Sequence, residues 1–213
     1  KKKKIPNYII KEFGEHPRIF SYRNISSIGG NNCSWEYYLS RIKKLEGIDG
    51  IYGIAGSISH SVVEDFYSGK ITYADMLSEF EKEYLVIESG EYRFHSDDDI
   101  NTKRSNDYKA NLLHFFKNHK AIESKVLTEV EFWVGVNGAL QDHLFMGYID
   151  AIHKDKETGD HIITDWKTSS YGSEYKGDNL LSKSHQLLLY AYAIHKLKRI
   201  PYDKIKVRWC FMK

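Results

Sequence analysis

The chain reads as a mixed α/β (α+β) domain, with a mainly helical first half followed by a small mixed β-sheet flanked by helices. Three observations predict this. Glycine-punctuated helical segments fill the sequence as far as His119. From Val126 onward, β-branched and aromatic residues gather in short runs with partial alternation. Between two of those runs stands a hairpin signal, Asp155-Lys-Glu-Thr-Gly-Asp160, with Thr158-Gly159 at its tip.

Taken in order, Gly29-Gly30 is a turn, and Asn31 to Ile42 reads as a capped helix that ends near Gly47. A second helix is expected from about Ser57 to Tyr67, stopped by Gly69, and a third from about Tyr73 to Ile87. The polar stretch Gly90 to Asn101, with Asp97-Asp98-Asp99, reads as a loop, and a fourth helix covers roughly Lys103 to His119. Strands are expected at Val126–Val136, Phe145–His153 and His161–Lys167. Residues 169–180 form a Gly/Ser/Tyr/Asn-rich loop, Ser182–Leu197 a helix, and Ile205–Phe211 a last strand. The order helices, three strands, helix, strand fits one layered domain with an N-terminal helical elaboration. Residues 1–124 are its helical part and 125–213 its sheet-bearing core.

A length of 213 residues suits a single domain with a substantial core. With 41% hydrophobic and 28% charged residues and only three prolines, the composition is ordinary for a globular protein. Net charge is only +2, so a large uniform basic surface is excluded, although lysines and arginines clump at residues 1–4, 41–44, 196–199 and 204–208. Acidic metal ligands would offset phosphate-binding lysines in such a balance. The two cysteines, Cys33 and Cys210, suggest neither a disulfide framework nor a zinc site. No run approaches the ~20 apolar residues of a membrane span, and the N-terminal lysines precede no apolar stretch. The expectation is a cytoplasmic protein, in a bacterial or phage-infected cell, without membrane partners.

The hairpin carries the chemistry. Asp165 and Lys167 are two apart, so a strand puts both on one face. Asp150 lies on the partner strand. A Glu157-Thr158 turn sets it opposite Asp165, a Thr158-Gly159 turn opposite Lys167, and a four-residue loop preserves the parity. Both strands have apolar flanks, and two buried carboxylates repel unless a proton or cation joins them. Oxygen ligands favour Mg²⁺ or Mn²⁺. A lysine alongside could orient a water or stabilise charge on a phosphate. A bare Asp-x-Lys is otherwise an ordinary surface ion pair. His60 shares a helical face with Glu64, four residues on. Gln186 and Tyr190 stand at the same spacing on a helix that, read alone, is merely amphipathic.

Four pieces thus stand in order: His60, Gly147-Tyr-Ile-Asp150, Asp165-Trp-Lys-Thr168 and Gln186-Leu-Leu-Leu-Tyr190. The set resembles the RecB-like branch of the PD-(D/E)XK nucleases, across roughly residues 33–211. The resemblance implies a restriction-endonuclease-like core and a divalent-metal-dependent deoxyribonuclease, an exonuclease serving recombination, repair or phage DNA processing. It implies His60, Asp150, Asp165 and the Trp166 backbone carbonyl as metal ligands, and Lys167 as the catalytic lysine. Gln186 and Tyr190 would position that lysine or a DNA phosphate. Glu131, where relatives often carry an acidic residue, and Glu64 are second-tier candidates. Many relatives bind a [4Fe-4S] cluster through four cysteines. Cys33 resembles the first, but only Cys210 follows the last helix, so no iron–sulfur cluster is expected. DNA, single- or double-stranded, is the expected partner, with a helicase or recombinase as a protein partner. The competing reading is a non-catalytic nucleic-acid-binding subunit of a helicase–nuclease or CRISPR-adaptation complex; the completeness of the four-motif set favours the enzyme.

Overall fold

The computed structural model describes residues 5–15, 17–22, 26, 34–45, 50–89, 92–135, 143–169 and 171–213. Among these residues, five strands form one mixed sheet with helices on both faces, consistent with a restriction-endonuclease-like fold. In chain order the elements are α1 (Asn7–Phe13), β1 (Arg18–Phe20), α2 (Ser34–Tyr37), α3 (Ile51–Tyr67), α4 (Met76–Glu88), α5 (Asp98–Asn118), β2 (Val126–Gly135), β3 (His143–Lys154), β4 (His161–Lys167), α6 (Asn179–Lys198) and β5 (Ile205–Phe211).

Long β3 organises the sheet. Antiparallel β2 lies along one edge. On the other edge two strands share its length: parallel β1 pairs with His143–Phe145, and antiparallel β4 with Ala151–Lys154. Between them, residues 146–150 have no pairing on that edge among the described residues. β5 then adds in parallel to β4.

One face is covered by α3, α4 and α5. Their buried positions repeat at helical spacing: Ile51, Ala55, Ile58 and Val62; Met76, Phe80, Tyr84 and Ile87; Tyr108, Leu112 and Phe116. They pack with Val126, Ala151, Trp166 and Met212 from the sheet. The opposite face packs against α6, where Leu187, Tyr190, Ala191 and Ile194 meet Phe132, Phe145, Ile149, Ile152 and Ile163.

Several boundaries differ from the sequence reading. Helix α3 begins at Ile51 rather than near Ser57, and α6 at Asn179 rather than Ser182. The aspartates expected in a loop open α5 instead. The Asp97 side chain accepts the Ile100 N–H at 3.0 Å, and Asp98 and Asp99 lie in the first turn, where negative charge favours the helix dipole. Of the first expected helix, Ser34–Tyr37 is α-helical and Tyr38–Ile42 widens to a π-helix, while residues 31–33 lie outside the described ones. The 169–180 loop holds a 3₁₀ turn at Ser173–Tyr175. Helix α1 and three-residue β1 were not anticipated, being too short to show a period.

Candidate active site

The hairpin closes through a four-residue loop, with the Asp155 N–H donating to the Asp160 carbonyl at 2.9 Å and Gly159 at φ +71°. Its register, Ala151 opposite Thr164 and Lys154 opposite His161, extrapolates to Asp150 opposite Asp165. This matches the alternative centred on Glu157-Thr158. The strands part at that point, and the Asp150 carboxylate instead accepts the Trp166 N–H at 2.8 Å. Parting strands leave backbone and side-chain groups free to converge on something other than each other. Asp165 is buried, 2% exposed, and its Oδ2 lies 2.6 Å from the Lys167 ammonium.

His60, from the middle of α3, reaches the same place. Its Nε2 lies 3.0 Å from the Trp166 carbonyl, which can only accept, so Nε2 carries the proton. In the neutral ring Nδ1 is then a lone pair, and it faces Asp150 Oδ2 at 3.8 Å. When Asp150 is ionised, two acceptors face each other there.

Sequence reasoning missed Glu129. One atom from each of His60, Glu129 and Asp150 falls within 4.8 Å of the others. Glu129 continues the β2–β3 register opposite Asp150 but drops out of the ladder, with its backbone at φ +47°. This left-handed conformation is strained for a non-glycine residue. The strands change parity around it. Val126 packs toward α3–α5 but Val130 toward α6, and likewise Ala151 toward α3–α5 but Ile149 toward α6. Glu131 is placed differently. It stands opposite Tyr148, two residues further along, and its carboxylate accepts the Trp133 indole N–H at 2.8 Å. A regular strand would put Glu129 and Glu131 on one face, and only the register position opposite Asp150 tells them apart. Glu64, a turn after His60, lies close enough to raise the Glu129 carboxyl.

Lys167 is held from the other side by α6. Its ammonium lies 3.3 Å from Gln186 Oε1, and Gln186 Nε2 donates to the Tyr190 hydroxyl at 2.6 Å. An ammonium only donates, so the amide must turn its oxygen to Lys167 and its NH₂ to Tyr190. Tyr190 in turn stacks edge-on against Phe132, ring centroids 5.7 Å apart. Phe132 lies over Gly147, where an added Cβ would come within 2.9 Å of its ring. The glycine three before Asp150 thus makes room for the ring that seats Tyr190. A cleft of ~310 Å³ opens here, between Ser21 and Tyr22 after β1, Gly147 on β3, and Gln186 and Tyr190. A second cavity, of ~350 Å³, walled by Leu127, Ile152 and Ile194, lies toward the hairpin end and contains none of these groups.

A family model for the PD-(D/E)XK nuclease superfamily matches residues 30–213. The chain belongs to the PD-(D/E)XK nuclease superfamily. A search of curated proteins finds no match. Membership implies a metal-dependent nuclease that binds nucleic acid. The donor set suits the divalent cation that the superfamily uses. Burial, then the charge of Asp165, lifts the Asp150 carboxyl to about 7. Glu129 is an exposed residue, and partial desolvation of its carboxyl, followed by Asp150 and Glu64, raises it. Burial raises Asp165 too, although Lys167 holds it back. The same burial lowers His60, keeping its imidazole neutral and its lone pair available, against the opposing pull of Asp165. Crowded carboxylates facing a neutral imidazole form a site completed by positive charge. Among the described residues, no helix is long and apolar enough to cross a membrane. Cys33 lies outside the described residues, and Cys210 sits half-buried on β5.

Proposed function

We propose that the chain is a divalent-metal-dependent deoxyribonuclease of the RecB-like branch, working as an exonuclease in recombination, repair or phage DNA processing. Residues 1–213 act as one nuclease domain, with 1–124 supplying His60 and 125–213 the sheet and the Gln-x-x-x-Tyr helix. The observation that carries this reading is the meeting of His60, Glu129 and Asp150 within 4.8 Å, beside the Asp165–Lys167 ion pair.

In this reading His60, Glu129, Asp150 and Asp165 hold Mg²⁺ or Mn²⁺, and the neutral imidazole makes Mn²⁺ as good a fit as Mg²⁺. The Trp166 carbonyl, which already accepts from His60, keeps a second lone pair for the same role. The cation, once bound, supplies Lewis acidity and neutralises charge at a phosphodiester. Lys167 is aimed by Asp165 and Gln186 so that its ammonium meets the negative charge that builds on the scissile phosphate. Gln186 and Tyr190 fix its direction without competing for its charge. Digestion of end-labelled single- and double-stranded DNA in Mn²⁺ tests the reading. Wild-type protein shortens the strand from an end, whereas Lys167→Ala loses about two to three orders of magnitude in rate, comparable to losing one charge-stabilising donor, and still binds DNA. Cleavage retained by Lys167→Ala would remove the lysine from the mechanism.

A further inference from the structure

Beyond the metal-binding residues, the face that carries Asp165 and Lys167 continues onto β5 as a row of aromatic rings. The parallel register sets Trp209 beside Asp165 and Phe211 beside Lys167, and adjacent strands lie about 4.8 Å apart. Tyr175 packs edge-on to both, at 5.0 Å from Trp209 and 4.8 Å from Phe211. Tyr171 tilts onto Phe211 at 5.2 Å and stays 54% exposed. Two ammonium groups cap the cluster: Lys176 lies 4.7 Å over the Tyr171 ring, and Lys183 6.0 Å over Tyr175. Lys183 stands one turn before Gln186 on α6, so the capped rings and the Lys167-binding amide share one end of that helix.

Tyr171, the outermost ring, leaves more than half its surface in solvent. Exposed rings flanked by mobile cations are how proteins hold unpaired nucleic acid, with rings stacking on bases and ammonium groups meeting phosphates. A duplex hides its base faces in its own stack, so only single-stranded or frayed nucleic acid offers them.

We propose that Tyr171, Tyr175, Trp209 and Phe211 form a stacking platform for unpaired nucleobases, seating single-stranded nucleic acid one strand away from Asp165 and Lys167. The proposal deepens the nuclease reading above and rests on it. Lys176, on a flexible stem, exchanges the Tyr171 ring for a backbone phosphate when a base takes the ring face.

Binding measured by fluorescence anisotropy in EDTA, where no cation is bound, tests it. The probes are a labelled thymidine oligodeoxynucleotide and a blunt duplex of equal length. Tyr171→Ala weakens single-strand binding by about 5- to 150-fold, the worth of one base–aromatic stack, and leaves duplex binding within about twofold. Tyr171→Trp restores it. A uridine oligoribonucleotide, with equivalent base faces, shows the same dependence on Tyr171. Equal losses for single strand and duplex, no loss for either, or no single-strand binding by the wild type would overturn the platform. Cleavage in Mn²⁺, measured on the same proteins, separates the two ideas. A wild type that cleaves without Tyr171-dependent binding removes the platform and keeps the nuclease. One that binds through Tyr171 and never cleaves removes the nuclease and keeps the platform.

Discussion

Asp150 sits under opposing demands: burial and the charge of Asp165 raise its carboxyl to about 7, while the Trp166 N–H and Lys167 pull it down. A folded value above the unfolded one means that stability is fully present below about pH 4 and is lost as pH rises through about 7. In EDTA, Asp150→Asn, which keeps an acceptor for the Trp166 N–H, should therefore melt several degrees above wild type at pH 8 and close to it at pH 4.5. Thermal melts at both values check this, and a gap independent of pH would mean that the carboxylate ionises freely. His60 moves oppositely, its lowered value costing stability in acid, and the wild-type comparison at each pH largely cancels it. Glu129 gives a second contrast. Asn tolerates the left-handed backbone and removes a charge, so Glu129→Asn should match or exceed wild-type stability in EDTA while weakening Mn²⁺ binding about tenfold or more. Glu131→Gln should leave Mn²⁺ affinity nearly unchanged; calorimetric titration distinguishes the two. The sequence reading named Glu131 alone, whereas the structure brings Glu129 to His60 and Asp150. The strand's period puts 129 and 131 on one face, and the local break in the ladder at Glu129 has no sequence signature.

At the level of elements, the motif glycine shows how a strand, its neighbour and a helix depend on one another. Gly147 admits the Phe132 ring, that ring seats Tyr190, and Tyr190 receives the Gln186 amide that orients Lys167. Gly147→Ala forces the ring to move, and an overpacked core position costs about 1–3 kcal/mol. The variant should melt several degrees lower and cleave at least tenfold more slowly, with metal affinity little changed because His60, Glu129 and Asp150 lie outside this chain of contacts and Asp165 touches only its last member, Lys167. A rate loss matched by an equal loss of metal affinity would show that the glycine serves the ligands instead. The fold class and β4 and β5 were legible in the sequence because apolar runs bounded by turns define them. The starts of α5 and α6 were not. Polar first turns such as Asp97-Asp98-Asp99 have the composition of loops, and only cap geometry tells them apart. Hairpin parity was legible as alternatives, and the loop's hydrogen bonds selected one.

For the molecule as a whole, the site joins three layers: His60 from the helices on one face, Glu129, Asp150, Asp165 and Lys167 from the sheet, and Gln186 and Tyr190 from α6 on the other. A cation bound by residues from two of these layers ties them together. Mn²⁺ should thus raise the melting temperature by roughly 5–10 °C at about a hundredfold excess over Kd, since linkage there is worth about 2.7 kcal/mol. The rise should shrink toward zero at pH 4.5, where the carboxylates hold protons, and in Asp150→Asn. A scan of melting temperature against Mn²⁺ concentration checks this, and a rise that persists in Asp150→Asn would place the ion elsewhere. The Gly147–Phe132 contact also has an evolutionary consequence. The space between those two positions is shared, so a descendant that gained a methyl group at 147 would survive best by trimming the ring at 132. The two sites should therefore drift as a pair.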